Sequence, residues 1–188
     1  MGDVKQIRVH GRGGQGSVTL AHLIAEAAFD QGEWAQAFPA FGVERRGAPV
    51  EAFARIDDGT ITDRSQVNEP TYVIVQDPTL VDIVDVTDGL VTDGTLLVNS
   101  TGEPEAMSIE TDASVVTVDA TGIARKHLGR PIANTALLGA FAGATGVLEL
   151  DSIEAATIAS FGEEIGRMNA EAAEAAYAVV RGAEVAAV

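Results

Sequence analysis

The sequence predicts an α/β fold: a doubly wound, largely parallel sheet with helices on both faces and a helical C-terminal tail. Three observations carry it. Runs of strand length recur at 6–10, 72–76, 95–99 and 115–119, and the middle two are nearly continuous in apolar residues, as strands covered on both faces read. Segments of helical period alternate with them at about 17–31, 79–86 and 122–128. Beyond residue 133 only helical patterning remains.

The first strand, 6–10, runs into Gly11-Arg12-Gly13-Gly14-Gln15-Gly16. Leu20, Leu23, Ile24, Ala27 and Ala28 then recur at helical spacing up to Gly32, a natural stop. From Ala37 to Pro49 glycine and proline interrupt any period, and a loop is expected. Val50, Ala52, Ala54 and Ile56 alternate as a strand. Asp57-Asp58-Gly59 turns the chain, and 60–62 is expected to pair back. After the strand at 72–76, Asp77 is placed to cap a short helix opened by Pro78 and running over 79–86. The strands at 95–99 and 115–119 follow, with a short helix between Gly122 and Gly129. Helices are expected over 133–147, 151–161 and 167–181, with Asn134 and Thr135 as caps of the first. The expected organisation is an α/β core over 1–150 and C-terminal helices over 151–188. No internal repeat or low-complexity linker is seen.

Composition narrows the function classes. The chain has 188 residues, 46% hydrophobic and 21% charged, enough for a real core. There is no cysteine, which excludes disulfides, thiolate zinc sites, Cys-ligated iron–sulfur clusters and a Cys nucleophile. Twenty-eight acidic residues face 12 basic ones, a net charge of −16, and lysine occurs only at Lys5 and Lys126. Such a surface repels itself in dilute salt and is screened at about 1 M, where the Debye length is ~3 Å; a salt-rich, halophile-like cytoplasm is the expected setting. Binding to nucleic acid is not expected, because phosphate neutralisation needs clustered Lys and Arg. No run approaches the ~20 apolar residues of a membrane span, and the N-terminus carries no secretory pattern.

Two loops concentrate the candidate chemistry. Gly11, Gly13 and Gly16 have the spacing G-x-G-x-x-G between a strand and a helix, so a ligand can approach the backbone and an anion can meet the helix N-terminus. The acidic partner of a dinucleotide site is missing: Asp30 and Glu33 lie at about the right distance, but no strand ends there. Arg12 and Gln15 could fill the space themselves, and a pure packing turn stays open. The second loop, Phe41 to Pro49, holds Glu44, Arg45, Arg46 and Gly47; adjacent arginines in so acidic a chain suit a phosphate, a carboxylate or an acidic partner surface, or internal pairing. His10, His22 and His127 show no metal spacing, and no nucleophile elbow or P-loop occurs. Asp82, Asp85, Asp88 and Asp93 read as a solvated acidic face. The residues describe a binding or assembly unit more than a self-sufficient catalyst, and a stand-alone, Rossmann-like anion- or nucleotide-binding module is the alternative reading.

Three segments in order resemble the gamma subunit of the 2-oxoacid:ferredoxin oxidoreductases, most of all the pyruvate enzyme. They are Gly11 to Gly16; Phe38 to Pro49 with Phe53-Ala54-Arg55-Ile56; and Val118 to Ala124 with Gly129 to Ala140. The resemblance implies a cytoplasmic enzyme that cleaves a 2-oxoacid with thiamine diphosphate, forms acyl-CoA and reduces ferredoxin. It places thiamine diphosphate, Mg and the iron–sulfur clusters in partner chains: alpha and beta subunits, and a ferredoxin-like delta subunit where present. No cofactor is expected to be held by this chain alone. The resemblance makes Gly11, Arg12, Gly13, Gly14, Gln15, Gly16, Glu44, Arg45, Arg46, Gly47 and Asn134 candidates for coenzyme A contact, with inter-subunit contact the alternative for the two arginine-containing loops. No catalytic residue is expected. Val43 stands where many relatives carry proline.

Overall fold

The computed structural model describes residues 4–40 and 46–186, with side chains described to residue 182. One six-stranded sheet has the order β2-β3-β1-β4-β5-β6. The strands are β1 (Lys5–Arg12), β2 (Trp34–Pro39), β3 (Pro49–Asp57), β4 (Tyr72–Val75), β5 (Thr95–Asn99) and β6 (Ser114–Val118). β1, β4, β5 and β6 are mutually parallel. β3 lies antiparallel against β1, from Lys5 opposite Ile56 to Arg12 opposite Pro49. β2 adds antiparallel to β3.

β2 falls partly where a loop is expected. Its period of two spans only six residues, and its core side is Ala35 and Ala37, too small to give an apolar signal. Residues 60–62 do not pair back; they belong to an irregular stretch after β3.

The α-helices among the described residues gather on one face: α1 (Ser17–Asp30), α2 (Ala120–Leu128), α3 (Asn134–Thr145), α4 (Leu150–Phe161) and α5 (Glu163–Ala186). Ile7, Val9, Ala54, Ile56, Ile74 and Leu97 point to them from the sheet. α3 is wedged between sheet and α5, buried from Asn134 through Gly143. Its Gly139 sits so close to α5 that a Cβ there would overlap the Ala173 backbone, and a Cβ on Gly143 would lie 3.0 Å from the Tyr177 carbonyl. Thr135 Oγ1 donates to Asn169 Oδ1 of α5 at 2.8 Å.

The α/β class, the parallel half of the sheet and the C-terminal helices agree with expectation. The opposite face differs in one respect, for it carries no α-helix among the described residues. Val73, Val75, Leu96 and Val98 are covered there by Leu80, Val86, Met107 and Ile109. The helix expected over 79–86 is a single 3-10 turn, Pro78–Leu80, followed by turns. Asp77 does cap it, accepting from Thr79 N. Asp85 Oδ1 then accepts from both Thr87 N and Thr87 Oγ1, a local bond that competes with helix continuation.

Two buried arginines fasten this irregular cover. Arg8 Nη2 donates to the carbonyls of Val86 (3.2 Å) and Asp88 (2.6 Å). Arg55, 2% exposed, donates to Ser65 O at 2.8 Å, pairs with Asp63 at 3.3 Å and lies 5.3 Å from the Phe38 ring centre. No helix among the described residues is long and apolar enough to cross a membrane.

Candidate functional site: the glycine loop and its two clefts

The glycine loop leaves the C-terminal end of β1, where the sheet changes direction: β3 lies on one side of β1 and β4 on the other. That is the position at which open α/β sheets bind ligands. The glycines are needed for approach and for backbone conformation. A Cβ on Gly11 would strike Ser17 Oγ and lie 2.6 Å from Gln76 Oε1. Gly14 and Gly16 have φ of 96° and 80°, in the left-handed region. Gly13 donates to Ala48 O and accepts from Gly47 N, and it forms an isolated parallel bridge with Arg46. The two candidate loops are therefore joined.

Much of the loop is held internally. Arg12 donates through Nε to Asp77 Oδ2 (3.0 Å), through Nη1 to Gly47 O (3.1 Å) and through Nη2 to Thr79 Oγ1 (2.7 Å). Gln15 accepts from Arg12 N and donates to Asp77 Oδ2. Burial pushes the Asp77 carboxyl up, but the hydrogen bonds from Thr79 Oγ1 and Thr79 N, then that from Gln15 and the Arg12 charge, together outweigh it and hold the carboxyl below its ordinary range. Below the loop, Ser17 Oγ donates to Gln76 Oε1 at 2.6 Å, and Asn99 Nδ2 donates to Gln76 O and Thr121 Oγ1.

Arg46 is exposed and makes no ion pair among the described residues. Glu44 and Arg45, with Phe41, Gly42 and Val43, lie outside the described residues. Asn134 does not cap α3, contrary to expectation: Ala133 is the N-cap, and Asn134 is the first helical residue, turned inward against Gly16.

Two clefts flank the loop, and Gly14 and Gly16 line both. The larger, about 580 Å³, is walled by Arg12, Ser17, Ala40, Pro49 and Glu51, with His10 at its base. The smaller, about 220 Å³, is walled by Gln15, Gln76, Asn99, Thr121 and Asn134.

The sequence reading misses His10 and Glu51. His10 is 3% exposed, accepts from Arg8 Nε at 3.0 Å through Nε2, and has Nδ1 3.5 Å from Glu51 Oε1. Burial first, then the Arg8 charge, pushes its pKa down to about 4, so it is neutral at pH 7 with its proton on Nδ1. The available signal was alternation: Gln6, Arg8 and His10 share one face of β1, which reads as solvent-facing until the 82–90 cover is known.

The family model for pyruvate ferredoxin/flavodoxin oxidoreductase matches residues 6–179. The chain belongs to this family. Within it, the chain is similar to pyruvate synthase subunit PorC of Methanosarcina barkeri, 55% identical over 96% of this chain and 100% of the relative. It is 51% identical to the common gamma subunit of the pyruvate/ketoisovalerate oxidoreductases of Thermococcus kodakarensis, over 92% of this chain and 95% of the relative. The crystal structure of the Thermotoga maritima pyruvate oxidoreductase subunit PORC superposes with a TM-score of 0.82 at 37% identity, covering 94% of this chain and 96% of that one. The gamma-subunit resemblance read from the sequence is borne out, and the stand-alone module is not favoured. In this member of the pyruvate ferredoxin/flavodoxin oxidoreductase family, no cluster of three His, Cys, Asp or Glu side chains among the described residues could hold a metal.

Proposed function

We propose that this chain is the gamma subunit of a thiamine diphosphate-dependent pyruvate:ferredoxin oxidoreductase. The observation that carries this is identity of more than half along the whole length of a PorC subunit. It does not catalyse alone. Neither its cysteine-free sequence nor its described side chains offer ligands for an iron–sulfur cluster or a metal-bound diphosphate, so no chemical step is routed through it. Its partners are alpha and beta subunits and a ferredoxin-like delta subunit, with ferredoxin as acceptor. The Thermococcus relative is named as common to pyruvate and ketoisovalerate enzymes, which supports placing the choice of 2-oxoacid on another subunit.

Within the complex, the larger cleft and the arginine loop form part of the coenzyme A site. Coenzyme A supplies the thiol that accepts the acyl group. The residues present fit a phosphate-bearing ligand: Arg46 is exposed and makes no ion pair among the described residues, Gly14 and Gly16 open the backbone, and Arg12 and Gln15 hold the loop in shape through Asp77.

Affinity capture of the chain from its native extract should co-elute larger subunits with coenzyme A-dependent, pyruvate-driven viologen reduction. A lone chain without activity would overturn the subunit reading. In the assembled enzyme, Arg46→Ala should raise the apparent KM for coenzyme A about tenfold, the loss of one charged hydrogen-bonding group, with kcat little changed. Normal assembly with an unchanged KM would remove the coenzyme A contact and leave the subunit role standing.

A further inference from the structure

The charge of the chain is unevenly placed. Twenty-eight acidic residues are spread along 188, yet none falls between Asp119 and Glu149. Into that interval fall Arg125, Lys126 and Arg130, three of the 12 basic residues and one of the two lysines. Arg125 and Lys126 lie in the last turn of α2, and Arg130 follows its Gly129 cap. All three are exposed, and none of their side chains makes an ion pair or hydrogen bond among the described residues.

Most cations elsewhere are engaged. Lys5 pairs with Glu33 at 2.7 Å, Arg12 with Asp77 at 3.0 Å, and Arg167 with Glu154 and Glu163 at 2.7 and 2.6 Å, while Arg8 and Arg55 are buried. A chain so rich in carboxylates can neutralise an exposed cation almost anywhere; here three like charges stand together without one. The dipole of α2 favours cations in its last turn, where Arg125 and Lys126 sit, but Arg130 lies beyond the cap. Apolar surface adjoins the charges: Pro131 is exposed, and Ile132, 47% exposed, is one of the large apolar side chains left in solvent. An apolar residue flanked by arginines is the composition of a protein interface. None of the three cations lines either cleft beside the glycine loop, so they do not form part of a small-ligand pocket there.

We infer that the surface over 125–132 is the docking site for an acidic face of another subunit of the oxidoreductase, an inference that rests on the subunit reading above. Charge decides the kind of partner. Carboxylates on the partner supply the counter-charges that this chain withholds from Arg125, Lys126 and Arg130, and the two guanidinium groups can each take a carboxylate in a two-pronged grip. A second copy docked across a two-fold axis here sets these cations against the same cations. Nucleic acid meets a net charge of −16. An acidic protein face with an apolar seat for Ile132 satisfies both the charge and the exposed side chain.

The test uses the assembled enzyme captured from its native extract. A carbodiimide joins an amine to a carboxylate already in contact with it and adds no spacer, and Lys126 is one of two lysines. Peptide mass spectrometry should find Lys126 coupled to an Asp or Glu of another subunit of the active complex, with the Lys5–Glu33 pair as internal control. Lys126 coupled to a second copy of this chain or to ferredoxin, or uncoupled in the intact complex, overturns the assignment. Charge reversal gives a second readout. Combined Arg125→Glu, Lys126→Glu and Arg130→Glu should cut the yield of co-eluting subunits about tenfold or more, while Arg64→Glu, at an exposed position in the irregular stretch after β3, leaves it unchanged. Should the triple variant not fold, Arg130→Glu alone decides it, because that residue lies outside α2. A yield equal to the parent's overturns the docking site. The two readings fail separately: a parent chain that captures no active complex removes the subunit reading, and a parent that captures it regardless of charge reversal removes the docking site alone.

Discussion

Replacing Gly139 with valine should destabilise the protein by about 3 kcal/mol or more, among the largest single-residue losses expected here. A Cβ at that position overlaps the backbone of Ala173, not the end of a movable side chain. The neighbours offer no slack, since Ala136, Ala140, Ala172, Ala173 and Ala176 are all fully buried. α3 and α5 would have to separate, and the Thr135–Asn169 bond between them would lengthen with the seam. For a chain of this length, 1 kcal/mol corresponds to about 2–4 °C in Tm, so a fall of about 6–12 °C is expected by circular dichroism. Gly182→Ala is the contrasting control. It lies in the same α5 with open space around it, and should be neutral or stabilising by up to about 1 kcal/mol through helix propensity. A Gly139→Val protein melting with the parent would show that the seam is not close-packed.

The second large effect is a dependence on pH set by His10. In the folded chain its pKa is about 4; unfolded, it returns to 6.5. Above pH 6.5 the residue is neutral in both states and contributes no difference. As pH falls from 6.5 towards 4 the unfolded chain takes up a proton that the native chain refuses, so stability is lost across that window and levels off below it. The loss is on the order of 3 kcal/mol, from about 1.4 kcal/mol per pKa unit. His10→Gln keeps an acceptor for Arg8 Nε and removes the titration. Denaturant midpoints measured from pH 7 to 4 should therefore fall less steeply in the variant. Parallel slopes would mean that His10 is protonated in the native state.

What could be read from the sequence followed the strength of local signals. β4 and β5 are nearly continuous apolar runs, α1 has a clean helical period before Gly32, and all three were placed within a residue or two. Gly129 ends α2 in the left-handed conformation its position suggests. β2 was lost because Ala35 and Ala37 carry its buried side. The 79–86 helix was over-read because Asp77 and Pro78 are sound opening signals, and they do open a 3-10 turn, while the Asp85–Thr87 turn beyond it depends on side-chain bonds that an opening signal cannot register. In the site, Gly11 to Gly16 and Arg46 were visible as motifs. The inward turn of Asn134 was not, because an Asn before a helix reads as a cap until Gly16 is known to face it. His10 acts with Glu51, Asn99 with Gln76, Gln76 with Ser17 59 residues away and Arg8 with Val86 78 residues away, and no spacing rule joins them.

The unequal cover of the sheet has a consequence for how the molecule opens. One face is sealed by five helices over a continuous apolar core, the other by irregular chain tied to Arg8 and Arg55. Guanidinium-to-carbonyl bonds hold a segment in place but exclude little apolar surface, so releasing 58–71 or 82–90 exposes far less than unfolding the whole. Amide exchange should divide the protein along the plane of the sheet: protons of α1 and α3 wait for global unfolding, while those of the arginine-tied segments leave early through local excursions that keep the helical side intact.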